Sequence, residues 1–364
     1  MKPVPITQHA PLVNDRVSEF AGERLYLATG SVNDDGIVAP ESVSYESRPS
    51  RADLSAKPGD VCFARMHGTR KVLKIDEASA EAILSTGFAV LRPNPEYLYS
   101  GYLRSWVASD AFQFAKDRLC TGATQKAITN AKIATLPIPL LPLAEQTRIA
   151  EILDAADALR AKRREALAQL DALLQSTFLD MFGDPVINPM RWRIGQLEDY
   201  FSKTRAGTCC GPFGSALKKH EYVDDGIPVW GIDNVKPNQF LQERSLFITP
   251  EKFAELQRYA VESGDILISR AGTVGRMCVA VPTVNQSIIG TNLIRLTLNP
   301  DAMLPVYFAS LYTFCGERLP GLRASGDDRA YSFLNTTRLK SLVVPLPPID
   351  LQLRFAAIVE SIDE

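Results

Sequence analysis

The sequence LPIPLLPLAEQ, at residues 136–146, leads directly into an amphipathic helix. A related stretch, LVVPLPPIDLQ at residues 342–352, does the same near the C-terminus. Five identical pairs stand 206 positions apart: Pro142 and Pro348, Gln146 and Gln352, Arg148 and Arg354, Ile152 and Ile358, and Asp157 and Asp363. A repeat of this length corresponds to a whole domain followed by a helix. The sequence therefore predicts a duplicated protein that binds a partner at two places.

The repeat continues upstream, where each copy holds a turn, apolar strands and a helix-like segment. The matched segments are Lys57–Arg65 with Glu262–Arg270, Thr86–Leu91 with Thr291–Leu296, Leu25–Val32 with Pro228–Val235, and helical segments that open at Tyr102 and Tyr307 and run to about Leu119 and Leu319. The offsets between the copies are 203 to 205 positions. This order of elements predicts that each module is an α+β unit.

The segment from Ala144 to Phe182 carries apolar residues at alternating spacings of three and four, which indicates a helix with a heptad seam. Its 39 residues would measure roughly 58 Å at about 1.5 Å per residue. Gly183 is expected to end it. A second helix starts at Pro348 and covers only 17 residues, so we expect a short, apparently truncated counterpart. The seam residues expected to dock a neighbour or a partner are Ile149, Ile152, Ala156, Leu159, Leu170 and Leu173.

The composition is that of an ordinary globular protein, with 46% hydrophobic and 23% charged residues. The formal net charge of −2 is the sum of segments that carry opposite net charges. Residues 1–140 carry 16 basic and 15 acidic side chains and residues 185–347 carry 18 and 15, whereas residues 141–184 carry 5 and 8 and residues 348–364 carry 1 and 4. Both modules are thus mildly basic and both helices acidic. Because the field of one face matters more than the sum, this charge does not exclude a nucleic-acid partner.

The sequence predicts a cytoplasmic protein without a membrane span or a zinc site. No run of about 18 apolar residues occurs, and the N-terminus lacks the apolar core of a secretory signal. The six cysteines are scattered and include no C-x-x-C pair, which favours reduced thiols.

Motifs of catalysis are missing from the sequence. The three histidines do not form a metal-binding pattern, and neither a Walker A nor a G-x-S-x-G motif occurs. Asn94-Pro95-Glu96-Tyr97 faintly resembles an amino-methyltransferase motif, but no glycine-rich cofactor loop precedes it. We interpret it as the turn before a helix and expect no catalytic residue.

The proline-rich stretch and its long helix resemble the central conserved region of the specificity subunits of type I DNA restriction-modification systems. The resemblance rests on LPIPLLPLAEQTRIAEILD at residues 136–154, LDMFGDP at residues 179–185, and the preceding turn GATQKAI at residues 122–128. A diverged copy of that turn, SGDDRAY, stands at residues 325–331. Mapped onto this family, residues 1–142 form a first target recognition domain and residues 143–184 a central conserved helix. Residues 185–347 form a second recognition domain and residues 348–364 the start of a distal conserved helix.

The resemblance implies a non-catalytic DNA-binding subunit that reads a bipartite target, one half-site per recognition domain, in a phage-defence complex. It implies two modification (methyltransferase) subunits and, in the full complex, restriction subunits as partners. S-adenosylmethionine, ATP and Mg²⁺ would belong to those partners, and this chain would bind no cofactor itself. Two other interpretations stay open. One is the recognition half of a single-chain restriction-methylation enzyme with residual activity, and the other is a coiled-coil adaptor without DNA binding.

Candidate DNA-binding residues cluster after the matched strands. Arginine can pair with guanine, and Asn or Gln with adenine, while other cations hold phosphates. In the first module the candidates are Arg65, His67, Thr69, Arg70 and Lys71, and their counterparts in the second are Arg270, Thr273 and Arg276. The alternative is that Arg65 and Arg270 stabilise their own modules.

Two further sets complete the candidates. The turn before the proline-rich stretch offers Thr124, Gln125 and Lys126, with Arg329 and Tyr331 in the second copy. The longer start of the second module offers Lys218 and Lys219, which would otherwise be solvated surface, and Asn234, for which a plain turn is the alternative.

Overall fold

The computed structural model describes residues 3–33, 36–243, 245–270, 274–316, 319 and 336–363. The chain divides into two compact units, Met1–Ala166 and Leu167–Glu364. One long helix, Leu143–Phe182, contributes its first part to the first unit and its last part to the second.

In the described part of the first unit, short strands and three α-helices precede the long helix. Its strands are β1 (Val4–Pro5), β2 (Leu12–Val13), β3 (Glu23–Leu27), β4 (Val32–Asn33), β5 (Gly36–Ile37), β6 (Glu41–Ser44), β7 (Ala52–Leu54), β8 (Val61–Ala64), β9 (Val72–Lys74), β10 (Ile83–Ser85), β11 (Phe88–Leu91) and β12 (Pro137–Ile138). Its helices are α1 (Ser100–Ala108), α2 (Asp110–Leu119), α3 (Asn130–Ile133) and the start of α4 (Leu143–Phe182).

The core of the first unit lies on both faces of the sheet β2-β11-β8-β9. Val61, Phe63, Ala89 and Leu91 pack in one apolar cluster with Leu103 and Phe112 of the helices. The alternate residues Cys62, Ala64, Phe88 and Val90 pack in another cluster with Leu27 and Leu84 of the sheet β6-β3-β10-β7. Because successive side chains of a strand point to opposite faces, β8 and β11 must be apolar throughout, as the sequence shows.

The second unit follows the same plan. Its strands are β13 (Arg193–Gln196), β14 (Thr208–Cys210), β15 (Ile227–Trp230), β16 (Val235–Lys236), β17 (Gln239–Phe240), β18 (Leu246–Ile248), β19 (Ile266–Ser269), β20 (Met277–Val279), β21 (Ile288–Ile289), β22 (Leu293–Leu296) and β23 (Val343–Leu346). Its helices are α5 (Pro250–Glu255), α6 (Pro305–Cys315), α7 (Thr336–Lys340), α8 (Ile349–Asp363) and the end of α4.

Strand pairing confirms the internal repeat. The sheet β14-β22-β19-β20 has the order of β2-β11-β8-β9. In each unit one parallel pair, β3 with β10 and β15 with β21, joins strands of the second sheet. The register is also shared, since Tyr26 faces Ile83 and Val229 faces Ile288. The α+β class, the two similar modules, the long helix and the short C-terminal helix are therefore confirmed. The exact domain boundaries stay a prediction.

The two proline-rich stretches hold their helices by the same device, a fully buried glutamine. The Gln146 side chain accepts from the Tyr99 N–H at 2.9 Å and donates to the carbonyls of Tyr97 (2.8 Å) and Leu141 (2.7 Å). Gln352 accepts from the Leu304 N–H at 2.8 Å and donates to the carbonyls of Ala302 (3.5 Å) and Pro347 (2.8 Å). The repeated Gln thus satisfies backbone groups that would otherwise be buried without partners.

The long helix α4 has 40 residues and is anchored at its ends. Ala150 is buried in the core of the first unit, and Phe178 and Phe182 are buried in that of the second, where both rings contact Tyr307 and Phe355. Residues 157–173 are all exposed. Of the predicted seam, Ile149 and Ala156 are half-buried, while Ile152, Leu159, Leu170 and Leu173 are exposed.

One helical segment differs from the sequence prediction. The segment from Tyr102 to about Leu119 is two helices, because Ser109 takes an extended conformation between α1 and α2. The Ser109 hydroxyl accepts from the Phe112 N–H at 3.4 Å and so caps α2. Within the described residues, no helix combines the length and the apolar character needed to cross a membrane.

Candidate nucleic-acid interface

The first candidate loop, residues 65–71, closes the hairpin between β8 and β9. The Ala64 N–H donates to the Lys71 carbonyl at 2.9 Å, and the Arg65 N–H donates to the Gly87 carbonyl at 2.9 Å. The loop therefore directly follows the buried strand β8, as the sequence predicts, and leads into the half-buried strand β9.

The loop and the turn at residues 124–126 form one surface, which we call the first-module patch (residues 65–71 and 124–126). The His67 N–H donates to the Lys126 carbonyl at 2.9 Å, and Met66 forms an isolated antiparallel β-bridge with Ala127. Thr124, Gln125, Lys126 and His67 are exposed. The structure thus brings together two candidate sets that the sequence left separate, and base or phosphate contact by their members stays a prediction.

Gly122 makes the turn at residues 124–126 possible. Its φ is +140°, and a Cβ there would lie 2.3 Å from the Gln125 carbonyl oxygen. Only glycine fits this close approach without displacing backbone.

Arg65 is held inside its own module. Its Nε donates to the Phe88 carbonyl at 2.8 Å and its Nη1 to the Asn130 Oδ1 at 2.6 Å. Burial lowers the pKa of this guanidinium. The placement supports the structural alternative for Arg65, in which it fastens the loop to β11 and α3.

Arg70 is the most exposed arginine of the patch. It forms an ion pair with Asp110, and its guanidinium lies 4.9 Å from the ring centre of Phe114. Phe114 is itself 60% exposed. An exposed aromatic ring beside an arginine offers both stacking and charge, which suits contact with nucleotides. Thr69 and Lys71 are half-buried beside it.

Sequence reasoning missed the two residues that shape the loop, Lys116 and Asp117 of α2. Lys116 is fully buried and its Nζ donates to the carbonyls of Thr69 (2.6 Å), Met66 (3.2 Å) and Ala64 (3.5 Å). Asp117 accepts from the Gly68 N–H at 3.0 Å. Burial lowers the pKa of Lys116, and the adjacent Asp117 offsets this lowering only in part. The signal in the sequence was a lysine four residues after Phe112, on the apolar face of its helix.

The second module repeats the hairpin. The Ser269 N–H donates to the Arg276 carbonyl at 2.8 Å and the Arg270 N–H to the Asn292 carbonyl at 2.9 Å, matching Ala64 and Arg65. Arg270 is half-buried and Arg276 is exposed. Thr273, Arg329 and Tyr331 lie outside the described residues, so the second copy of the patch is described only at its base.

The remaining candidates lie elsewhere in the second unit. Lys218 and Lys219 are exposed beside Glu221, which pairs with Lys252 at 2.8 Å. Asn234 is 1% exposed, and its side chain accepts from the Gly231 N–H and donates to the carbonyls of Leu241 and Glu243. This placement supports the plain-turn interpretation for Asn234.

Among the described residues, no group of three or more His, Cys, Asp and Glu side chains lies close enough to hold a metal ion. The features at the candidate interface of the first module are the cations of the β8–β9 loop, the amide and cation of the turn at residues 124–126, and the exposed Phe114 ring of α2.

Comparison with known proteins assigns the chain to a family. A family model described as the type I restriction modification DNA specificity domain matches twice, at residues 17–169 and 192–364. The chain is 24% identical over 348 residues to the type I restriction enzyme EcoKI specificity subunit of Escherichia coli K12, covering 90% of this chain and 71% of that protein. It is 23% identical over 331 residues to the putative MjaX specificity subunit of Methanocaldococcus jannaschii, covering 84% and 72%.

A solved structure shares the fold. The S subunit of a type I restriction-modification system from M. genitalium aligns with a TM-score of 0.61 at 16% identity, covering 100% of this chain and 89% of that one. With both modules matched by the family model, the chain belongs to the type I restriction-modification DNA specificity family, the non-catalytic specificity subunits of these systems.

Proposed function

We propose that this chain reads a bipartite DNA target, with one half-site bound by each module, and so directs its modification complex to that site. The observation that carries the proposal is the shared hairpin base: residues 64–71 and 269–276 close with the same backbone hydrogen bonds. Two loops that start from equivalent strand ends, one in each module, can each contact one segment of a duplex. Their differing side chains would select different bases.

The electrostatics of the first-module patch support DNA as the ligand. Its exposed cations are Arg70, whose guanidinium lies beside the exposed ring of Phe114, and Lys126, whose carbonyl accepts from the backbone N–H of the exposed His67. Cations that neutralise phosphates supply most of the sequence-independent affinity for DNA. The amide of Gln125 and the guanidinium of Arg70 are groups that can pair with base edges.

The test is methylome sequencing of cells that carry this chain together with its modification subunit. The expected result is one split, asymmetric motif in which two short specific segments flank an unspecified spacer. A continuous palindrome, or no methylated motif, would contradict the proposal. The matched control is the modification subunit expressed alone, which should leave the genome without that motif.

The proposal includes two modification subunits docked on the helical segments. Its support is the repeated attachment of α4 and α8 through Gln146 and Gln352, which gives the chain two equivalent junctions. S-adenosylmethionine would then be bound by the modification subunits, and ATP and Mg²⁺ by the partners of the complete complex. Mass measurement of the purified complex should give two modification subunits per chain. A stable complex with a single copy would contradict this part.

A further inference from the structure

A cleft of roughly 480 Å³ lies in the second unit, apart from the candidate loops. Arg295 of β22 and Ser287 line it, together with Arg205 from the segment before β14 and Arg258 from the turn before β19. Glu262 of the cleft precedes β19 and Arg270 of the second loop follows it, so the cleft and the second loop lie at opposite ends of that strand.

Arg295 is the central feature of the cleft because it is 2% exposed and bonded only to neutral groups. Its Nη1 donates to the carbonyls of Ala260 (2.5 Å) and Arg258 (3.1 Å), and its Nη2 donates to the Ala206 carbonyl (3.4 Å). Its Nε has no hydrogen-bond partner among the described residues. Burial lowers the pKa of this guanidinium, and the charge of Arg205 lowers it further.

The nearby carboxylates are already engaged by Arg205. Arg205 Nη1 lies 2.8 Å from a Glu262 oxygen and 3.2 Å from an oxygen of the buried Asp265. Asp265 also accepts from the Thr297 hydroxyl at 2.5 Å. Three arginines and one glutamate line the cleft, which leaves positive charge in excess. A buried cation without its own counterion is costly, and an incoming anion would remove that cost.

Ser287 provides a second unused donor. Its side chain is 1% exposed, and its hydroxyl has no hydrogen-bond partner among the described residues. It lines the same cleft as Arg295. The exposed side chains of Asn285 and Gln286 line the cleft beside it. Guanidinium, hydroxyl and amide donors around one space match the several acceptor oxygens of a phosphate group.

The duplication supplies an internal control. Arg295 faces Leu267 across the sheet, and its counterpart in the first module, Val90, faces Cys62 in the same register. Ser287 corresponds to Ala82 at the same offset of 205 positions. The fold thus accepts apolar residues at both positions. Packing alone therefore does not account for a buried arginine and a buried serine in the second module.

We propose that this cleft binds a phosphate group, carried either by a mononucleotide or by a nucleic-acid backbone. The cleft volume exceeds that of a single ion and lies within the range of small-ligand pockets. Arg295 and Ser287 contact the phosphate, and Arg258, Asn285 and Gln286 surround the rest of the ligand. This site goes beyond half-site reading, since it lies at the end of β19 away from the second loop and the first module has Val90 and Ala82 at the positions of Arg295 and Ser287.

The test measures binding of inorganic phosphate, AMP and a short duplex of random sequence to the full chain by calorimetry, at constant ionic strength set with NaCl. Wild type should bind phosphate saturably, with a Kd in the millimolar range or tighter. Arg295→Val, which installs the first-module residue, should weaken binding at least tenfold, and Ser287→Ala at least threefold. Arg193→Val, the same change on exposed β13, should leave the Kd unchanged.

Two outcomes identify the source of the phosphate. Tighter binding of AMP than of phosphate, with duplex binding unaltered in Arg295→Val, supports a mononucleotide. A tenfold loss of duplex affinity in Arg295→Val, with a salt slope smaller by about 1, supports a backbone phosphate. Unsaturable binding, or an equal Kd in wild type and both cleft variants, overturns the proposal. If Arg295→Val fails to fold, Ser287→Ala decides alone. The methylated motif tests half-site reading separately, so the two proposals can fail independently.

Discussion

The shape of the first loop depends on one side chain, Lys116. Three loop or strand carbonyls converge on its Nζ, and the neighbouring Asp117 takes the Gly68 N–H. A lysine can satisfy three acceptors at once, which no uncharged side chain of similar length can do. Buried Lys116 therefore acts as a clamp, since it holds the loop backbone and leaves the exposed side chains of the loop available for contact with bases.

Lys116→Met should lower the free energy of unfolding by about 2–4 kcal/mol, because a nearly isosteric apolar chain takes the Nζ donor away from the carbonyls of Thr69, Met66 and Ala64. Urea unfolding followed by circular dichroism measures the change. Lys126→Met is the matched control, since Lys126 is exposed in the same patch, and should stay within about 0.5 kcal/mol. Similar losses in both variants would contradict the clamp.

The buried thiols predict the alkaline behaviour of the chain. Burial raises the pKa of Cys62 and of Cys278 from 9.0 to about 12. The folded state therefore keeps protons that the unfolded state releases between pH 9 and about 12. The free energy of unfolding should fall as pH rises through this window and should not depend on these groups below it.

Urea unfolding at pH 8, 9.5 and 10.5 measures this dependence. The double variant Cys62→Ala, Cys278→Ala should show a shallower fall than wild type, and the difference isolates the two thiols from the buried tyrosines. A slope unchanged by the double variant would rule the thiols out as the cause.

Among the secondary-structure elements, the strands and the long helix could be predicted from the sequence, whereas a helix break and a long-range contact could not. Strands β8, β11, β19 and β22 and helix α4 follow from apolar runs and heptad spacing that local patterns reveal. The break at Ser109 was missed because the segment around it stays helical in composition on both sides. The contact between residues 66–67 and 126–127 was missed because it joins segments about 60 positions apart, for which one sequence carries no signal.

The Gln146 and Gln352 junctions should contribute equally to their units. Gln146→Met and Gln352→Met each take away the side-chain partner of one backbone N–H and two backbone carbonyls, so each should lower the free energy of unfolding of its unit by about 2–4 kcal/mol. Hydrogen exchange resolved by peptide assigns each loss to a unit. Gln175→Met, on the exposed part of α4, is the control and should change neither unit. A loss confined to one junction would contradict their equivalence.

At the scale of the whole molecule, the exposed stripe of α4 contrasts with its anchored ends. Ile152, Leu159, Leu170 and Leu173 are 58%, 68%, 37% and 52% exposed. Because contiguous exposed apolar side chains are typical of interaction surfaces, we propose that the modification subunit covers this row. Leu159→Asp should leave the free energy of unfolding of the isolated chain within about 0.5 kcal/mol and weaken binding of the modification subunit at least tenfold. Co-purification at graded concentrations measures this loss, and Ala161→Asp, which adds the same single charge at another exposed position of α4, is the control for added charge.

Reading by two independent modules makes the last prediction. Lys126→Met alters the first-module patch and Arg276→Met the second loop, and the two residues belong to different units. Each substitution should weaken DNA binding by about 1–3 kcal/mol when it removes a base contact. The methylated motif should then relax in one segment only, a different segment for each variant.

Because separate sites that share no partners contribute additively, the loss of binding free energy in the double variant should equal the sum of the two single losses within about 0.5 kcal/mol. Binding titrations on duplexes randomised in one segment at a time measure both effects. A single substitution that relaxes both segments would show that the modules do not read separately.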